Sequence, residues 1–161
     1  MTRTEQEHHE DLLHAVERVT MMLTDAGMPR MPSRVFAYVL AGDAPRYTAA
    51  ELAEGLRVSP AAISGAVRYL LDNRLLFKER EPGTRADLYR LPEEDFWAKI
   101  MGARLPLMDQ WVDDLAKAVE TVGPDTPGGR RLEETRELFA FLREETEALL
   151  ERWQQRRRTS G

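Results

Sequence analysis

The chain is 161 residues long, 42% hydrophobic and 32% charged, with a formal net charge of −5, enough for one domain with a real core or a small module with helical arms. It has no cysteine, which excludes disulfides, thiol catalysis, thiol redox sensing and Cys-based zinc sites. No run of about 18 apolar residues occurs, which excludes a helical membrane span, and the polar, acidic N-terminus is unlike a secretory leader, so the expected compartment is the cytoplasm.

The charge is unevenly spread. Residues 1–29 hold 2 basic and 6 acidic side chains, residues 30–90 hold 10 and 7, and residues 91–161 hold 11 and 15. Only the middle segment is positive. A basic segment between acidic arms suits a polyanion contact confined to one face. It predicts a moderate dependence of that contact on salt.

Residues 5–26 are predicted as a helix with Leu12, Leu13, Val16, Val19, Met22 and Leu23 on its apolar face. Gly27-Met28-Pro29-Arg30-Met31-Pro32 interrupts it, residues 33–40 form a short apolar helix, and Gly42-Asp43-Ala44-Pro45 closes that helix. The histidines, His8, His9 and His14, all fall near the N-terminus. No two are four apart, the spacing of a helical zinc pair, and Glu10 with His14 makes a poor two-ligand site. No metal and no cofactor is expected.

Thr48 and Glu51 have the spacing of a capping box, in which the hydroxyl accepts from the N3 amide and the carboxylate reaches back to the cap amide. Gly55 is the expected end of that helix, and Gly55-Leu56-Arg57-Val58 the turn. Ser59-Pro60 opens the next helix, Ser as N-cap and Pro at the first helical position. This second helix, residues 60–73, has an apolar stripe of Ile63, Val67, Leu70 and Leu71. Ala61, Ser64, Gly65 and Arg68 lie opposite. Small residues allow close approach to a duplex, and Arg can pair bidentately with guanine O6 and N7. Gly65 in mid-helix costs ~1 kcal/mol against Ala, which close approach to sugar-phosphate or to another helix would explain.

Residues 75–80 and 88–91 are predicted as two strands around a Pro82-Gly83 turn. A helix-turn-helix followed by a β-hairpin is a winged helix, whose usual work is docking on duplex DNA. Arg80 and Arg85 flank the tip, where a wing meets phosphate or the minor groove. Asp87 is spaced to orient Arg85 through a charge-assisted hydrogen bond. The candidate DNA-contacting set is Thr48, Ser59, Pro60, Ala61, Ser64, Gly65, Arg68, Arg80 and Arg85.

Pro92 is expected to open a long helix with Glu93, Glu94 and Asp95 in its first turn. Its stripe runs Phe96, Trp97, Ile100, Met101, Leu105, Met108, Trp111, Val112, Leu115, Val119 and Val122, and Pro106 should bend or break it. Residues 123–129 read as a loop. Residues 130–156 read as a last helix carrying Leu132, Leu138, Phe139, Leu142, Leu149, Leu150 and Trp153, with Arg156-Arg157-Arg158 at its end. These helices hold more apolar face than one winged helix needs. A second copy is the simplest partner. A two-fold dimer would set two recognition helices about 34 Å apart, matching a near-palindromic operator. The expected fold is mainly α with a small β-hairpin wing: an N-terminal arm (1–29), a winged helix-turn-helix domain (30–91) and a C-terminal helical region (92–161), both arms serving dimerisation.

Gly27-Met28-Pro29-Arg30, Ser33-Arg34-Val35-Phe36, the run from Leu52 to Ser64, Val67-Arg68-Tyr69-Leu70, and Gly83-Thr84-Arg85-Ala86-Asp87-Leu88-Tyr89 resemble a MarR-type regulator, and more narrowly its GbsR-like branch. The resemblance follows the order of elements over residues 10–155 and is specific in motif over 27–91. It implies a homodimeric bacterial transcription regulator, usually a repressor, which in many relatives releases DNA when a small ligand enters the cleft between the dimer arms and the winged helix. The family's paired wing Asp and Arg are matched only by Arg85 and Asp87, with Ala86 between them. Candidate lining for such a cleft is Phe36, Tyr38, Trp97, Met101, Met108 and Trp111. An aromatic box of this kind suits a quaternary ammonium effector, although the same residues at helical spacing also read as core or dimer seam.

No nucleophile elbow, P-loop or dinucleotide fingerprint occurs, so no enzyme activity is expected. A winged helix used only for protein–protein contact, without specific DNA binding, would present an apolar recognition face, where this chain has Ser64, Gly65 and Arg68.

Overall fold

The structure is a computed structural model that describes residues 3–80, 83, 86–92 and 95–160. They fall into two compact units, one up to residue 94 and one from residue 95.

The first unit holds α1 (Arg3–Asp25), α2 (Arg30–Ala41), β1 (Tyr47–Thr48), α3 (Ala49–Leu56), α4 (Pro60–Asp72), β2 (Phe77–Arg80) and β3 (Asp87–Arg90). On α1, Val16 and Thr20 are buried, and Leu13 and Leu23 lie half-buried at the same helical spacing. The Thr20 hydroxyl donates to the Val16 carbonyl at 2.7 Å, so its burial leaves no polar group unmet. Met22, expected among the packed residues, is exposed beside Met21. The apolar stripe of α1 is wider than the face its neighbour covers.

Helix α2 starts at Arg30, three residues earlier than expected. Pro32 is tolerated there because the first-turn N–H groups have no partner within the helix. This helix packs against α1, α3 and α4, with Val35, Phe36 and Ala37 fully buried. Its Arg34 donates to Glu17 of α1 at 2.7 Å.

At α3 both halves of the capping box form: the Glu51 amide donates to the Thr48 hydroxyl at 3.2 Å, and the Thr48 amide to the Glu51 carboxylate at 2.6 Å. The helix does not stop at Gly55. It runs to Leu56 and is capped by Arg57 in the left-handed region, φ 54°. Gly55 answers to packing instead, because a Cβ there would lie 2.1 Å from the Tyr38 hydroxyl oxygen. Helix α4 opens as expected, with the Ser59 hydroxyl accepting from the Ala62 amide at 3.3 Å and Pro60 as its first residue. It buries Ile63, Ala66, Val67 and Leu70, while Leu71 is half-buried.

The wing belongs to a three-stranded antiparallel sheet of order β1-β3-β2, not to an isolated hairpin. Tyr47 pairs with Tyr89, Phe77 with Arg90, and Arg80 with Asp87. β2 begins two residues later than expected. Leu75 and Leu76 are both buried, and two consecutive inward side chains break the alternation that a strand imposes.

The second unit holds α5 (Phe96–Gly102), α6 (Leu105–Val122) and α7 (Pro127–Ser160). The single long helix expected from residue 92 is two helices. The break falls at Ala103-Arg104, leaving Pro106 in the first turn of α6, where its missing N–H does no harm. Asp95 does not sit inside the first turn but precedes it, in the left-handed region with φ 48°; Glu93 and Glu94 lie outside the described residues. α7 likewise begins earlier than expected and absorbs Gly128 and Gly129. The Thr126 hydroxyl accepts from the Gly129 amide at 2.9 Å. A Cβ on Gly129 would lie 2.0 Å from the Gly123 carbonyl oxygen, so the turn between α6 and α7 closes only around a glycine.

Helix α7, at 34 residues, is ~51 Å long and packs against both α6 and α5. Arg143 ties it to Asp109 of α6 at 2.8 Å. Of the stripe expected to be covered on α5 and α6, only Ile100 and Val119 are buried. Trp97, Met101, Trp111 and Val122 are exposed, as are Leu138, Phe141, Leu142, Leu149 and Trp153 on α7. A helical period identifies an apolar face but does not supply what covers it.

Candidate nucleic-acid interface

Helix α4 divides as its sequence period dictates. Its core side is Ile63, Ala66, Val67 and Leu70, while Ala61, Ser64, Gly65 and Arg68 are exposed together on the other. A Cβ on Gly65 would meet nothing within 4 Å. Packing against another helix of this chain therefore does not account for that glycine. Arg68 has no ion-pair partner among the described residues, so its guanidinium fork is available to an external acceptor.

Thr48, Ser59 and Pro60 stand at the two helix starts. The Thr48 hydroxyl is occupied by its capping box and also donates to Glu51 at 2.8 Å. These contacts hold the Glu51 carboxyl below its usual range, the backbone amide of Thr48 contributing most. Ser59 is likewise engaged as a cap. Both hydroxyls therefore hold the first turn of their own helix, Thr48 for α3 and Ser59 for α4. Replacing such a cap by Ala costs ~0.5–2 kcal/mol.

Arg80 is exposed at the end of β2, and Arg85 lies outside the described residues. The Asp87 carboxylate is 2.8 Å from Lys78 Nζ across the hairpin, while its expected contact with Arg85 falls outside the described residues. Arg90 Nε donates to Glu79 at 2.6 Å. The Glu79 carboxyl is held down first by that hydrogen bond, with added attraction from Arg90 and Arg46. Surface pairs like these add little to stability, and on the wing they hold the positive side chains in place. Arg46 and Arg57, both exposed, were not singled out from sequence. They sit in a loop and at a left-handed turn, where no helical period or strand alternation marks a face; the basic excess of residues 30–90 was their only signal.

Among the ligand candidates, Phe36 has no exposed surface and Tyr38 is nine-tenths buried, while Trp97, Met101 and Trp111 are exposed and Met108 half-buried. Complete burial leaves Phe36 nothing to offer a ligand. Among the described residues no group of three or more His, Asp or Glu side chains is placed to hold a metal ion. No described helix is long and apolar enough to cross a membrane.

A capped helix-turn-helix, a three-stranded sheet ending in a wing, and flanking long helices define a winged-helix regulator. Residues 26–86 match the MarR family, and residues 95–156 match MmpR5-like MarR family transcriptional regulators. Both matches are to MarR-type winged-helix transcription regulators, one in each of the two units. It is similar to the HTH-type transcriptional regulator MmpR5 of Mycobacterium tuberculosis, with 26% identity over 147 residues, covering 91% of this chain and 88% of that protein. A crystal structure described as a transcriptional regulator superposes with a TM-score of 0.79 at 25% identity, covering 90% of this chain and 99% of that one.

Proposed function

We propose that this protein is a homodimeric repressor that binds a near-palindromic double-stranded operator sequence-specifically and acts in the cytoplasm, with its DNA affinity tuned by a small ligand. The observation that carries the reading is the exposed small-and-basic side of α4, Ala61, Ser64, Gly65 and Arg68, opposite a fully packed side. Arg68 reads guanine in the major groove. Arg80 and Arg85 meet phosphate from the wing and add affinity without sequence information. Pro60 and the caps Thr48 and Ser59 sit at the helix starts, where backbone amides suit phosphate.

Homodimerisation is supported by the apolar side chains that one copy leaves open on α1, α6 and α7, among them Met22, Trp111, Leu138 and Phe141. Obligate interfaces between copies are apolar surfaces of this kind. Exposed Trp97, Met101 and Trp111, with half-buried Met108, all in the second unit, are the proposed lining for an apolar or quaternary ammonium effector. Within the family, the motifs over residues 27–91 support a GbsR-like affiliation, while the C-terminal match is to MmpR5-like regulators. The test is selection of genomic DNA fragments by the purified protein at stated salt. An enriched inverted repeat supports the reading, and equal retention of all duplexes and a polyanion control refutes it.

A further inference from the structure

A cavity of about 480 Å³ opens beside α3 in the first unit, within the size range of small-molecule sites. Its lining includes two tyrosines from different elements, Tyr38 of α2 and Tyr47 of β1. Each is 8% exposed, and their rings meet edge to face, with centroids 5.5 Å apart. The Tyr47 hydroxyl is used within the chain, accepting from the Ala44 amide at 3.2 Å. The Tyr38 hydroxyl has no hydrogen-bond partner among the described residues. Its oxygen is not among the described buried polar atoms that lack a partner, so the hydroxyl keeps solvent access, and Tyr38 lines the cavity.

The walls decide which partner fits. Glu51 and Glu54 are three apart on α3, hence on one face of it. Glu51 is already committed to the Thr48 amide and hydroxyl. Glu54 is exposed and has no such commitment among the described residues. Against these two carboxylates the lining has one guanidinium, Arg57, and the ring of His9. Burial, then Tyr47, Glu51 and Glu54 in that order, push ionisation of the Tyr38 hydroxyl upward. Burial, the largest of these, disfavours any bound charge, whereas the Glu51 and Glu54 carboxylates repel an anion and attract a cation.

We propose that this cavity binds a protonated amine with an apolar or aromatic body. The ammonium donates hydrogen bonds to the Glu54 carboxylate and to the Tyr38 hydroxyl oxygen, while the apolar or aromatic body packs on the part of the lining that the two tyrosine rings supply. The lining residues all come from the first unit of one chain.

The test uses the full chain without DNA. Three probes of similar shape are titrated at pH 7 with tyrosine-ring NMR signals as the readout: 2-phenylethylamine, neutral 3-phenylpropan-1-ol and anionic 3-phenylpropanoate. The amine is expected to shift the Tyr38 and Tyr47 signals saturably, with a Kd about tenfold or more below that of either other probe, the factor that one good charged contact supplies. Glu54→Gln, at an exposed position, keeps the fold and raises that Kd about fivefold or more. Tyr38→Phe raises it by less, with the Tyr47 signal still reporting. No saturation by ~10 mM amine, a weak-fragment ceiling, overturns the proposal. So does an equal response to the anion, or an unchanged Kd in Glu54→Gln.

Discussion

Arg68→Ala separates sequence reading from general attraction to DNA. The side chain is exposed on α4 and has no ion-pair partner among the described residues. Truncating it strands no buried charge, and Ala is the better helix former. Unfolding stability should therefore change by less than about 0.5 kcal/mol. If Arg68 pairs bidentately with guanine, specific binding loses ~1–3 kcal/mol, which is about 5- to 150-fold in Kd. The assay is fluorescence anisotropy on the selected operator and on a scrambled duplex, each across a salt series, with thermal unfolding of the same preparation. The expected pattern is a loss on the operator, little change on the scrambled duplex, and an unaltered midpoint of unfolding. Equal losses on both duplexes, with the slope of log K against log salt smaller by about one, would make Arg68 a phosphate contact and refute the assignment. An unchanged operator Kd would remove it from the interface.

Gly65→Ala should move stability and binding in opposite directions. With open space around the added Cβ, the free protein gains ~1 kcal/mol, while operator affinity falls if α4 lies close against DNA; calorimetry and anisotropy read the two. Gly129→Ala drives a Cβ into the Gly123 carbonyl, whereas at Gly128 the nearest atom is the end of Val122, 3.2 Å away. The first should lower stability by ~1–3 kcal/mol and by more than the second; equal denaturation midpoints would contradict the close approach. Because the folded state depresses the Glu51 pKa from 4.5, the capping carboxylate stabilises above that value, and the contribution is lost as pH falls through the folded pKa. The stability gap between wild type and Glu51→Gln should thus be full at pH 7 and narrow only once pH falls below 4.5; a gap that stays constant as the carboxylate is protonated would count against it. Leu138→Glu and Phe141→Glu place charge on side chains that are 54% and 59% exposed in one copy, and should shift sedimentation from dimer toward monomer. An unshifted sedimentation coefficient would move the seam elsewhere.

The parts of this fold that were legible were those whose causes are local. The Thr48–Glu51 box and the Ser59-Pro60 start act within one helical turn, so the residues alone specify them. Gly55 misled because a glycine near a helix end ordinarily signals a left-handed cap. Here that conformation falls to Arg57, and Gly55 is small for the sake of Tyr38, 17 positions away in sequence. The two-residue strand β1 is too short to show alternation and exists through its pairing with β3. Gly128 and Gly129 read as loop from composition, yet Thr126 and Pro127 start a helix through them. On the candidate interface, α4 was readable from its period, but the link between Asp87 and Lys78 required knowing the register of the hairpin.

The contact of Tyr38 with Gly55 has an evolutionary corollary. A Cβ at position 55 would overlap not only the hydroxyl but also the ring carbon beneath it, at 2.5 Å. Removing the oxygen alone therefore frees too little room, and in homologues any gain of volume at 55 should be accompanied by loss of the whole aromatic ring at 38. The two sites are expected to drift as a pair, with the spacing of the reading head's scaffold inherited through that pairing.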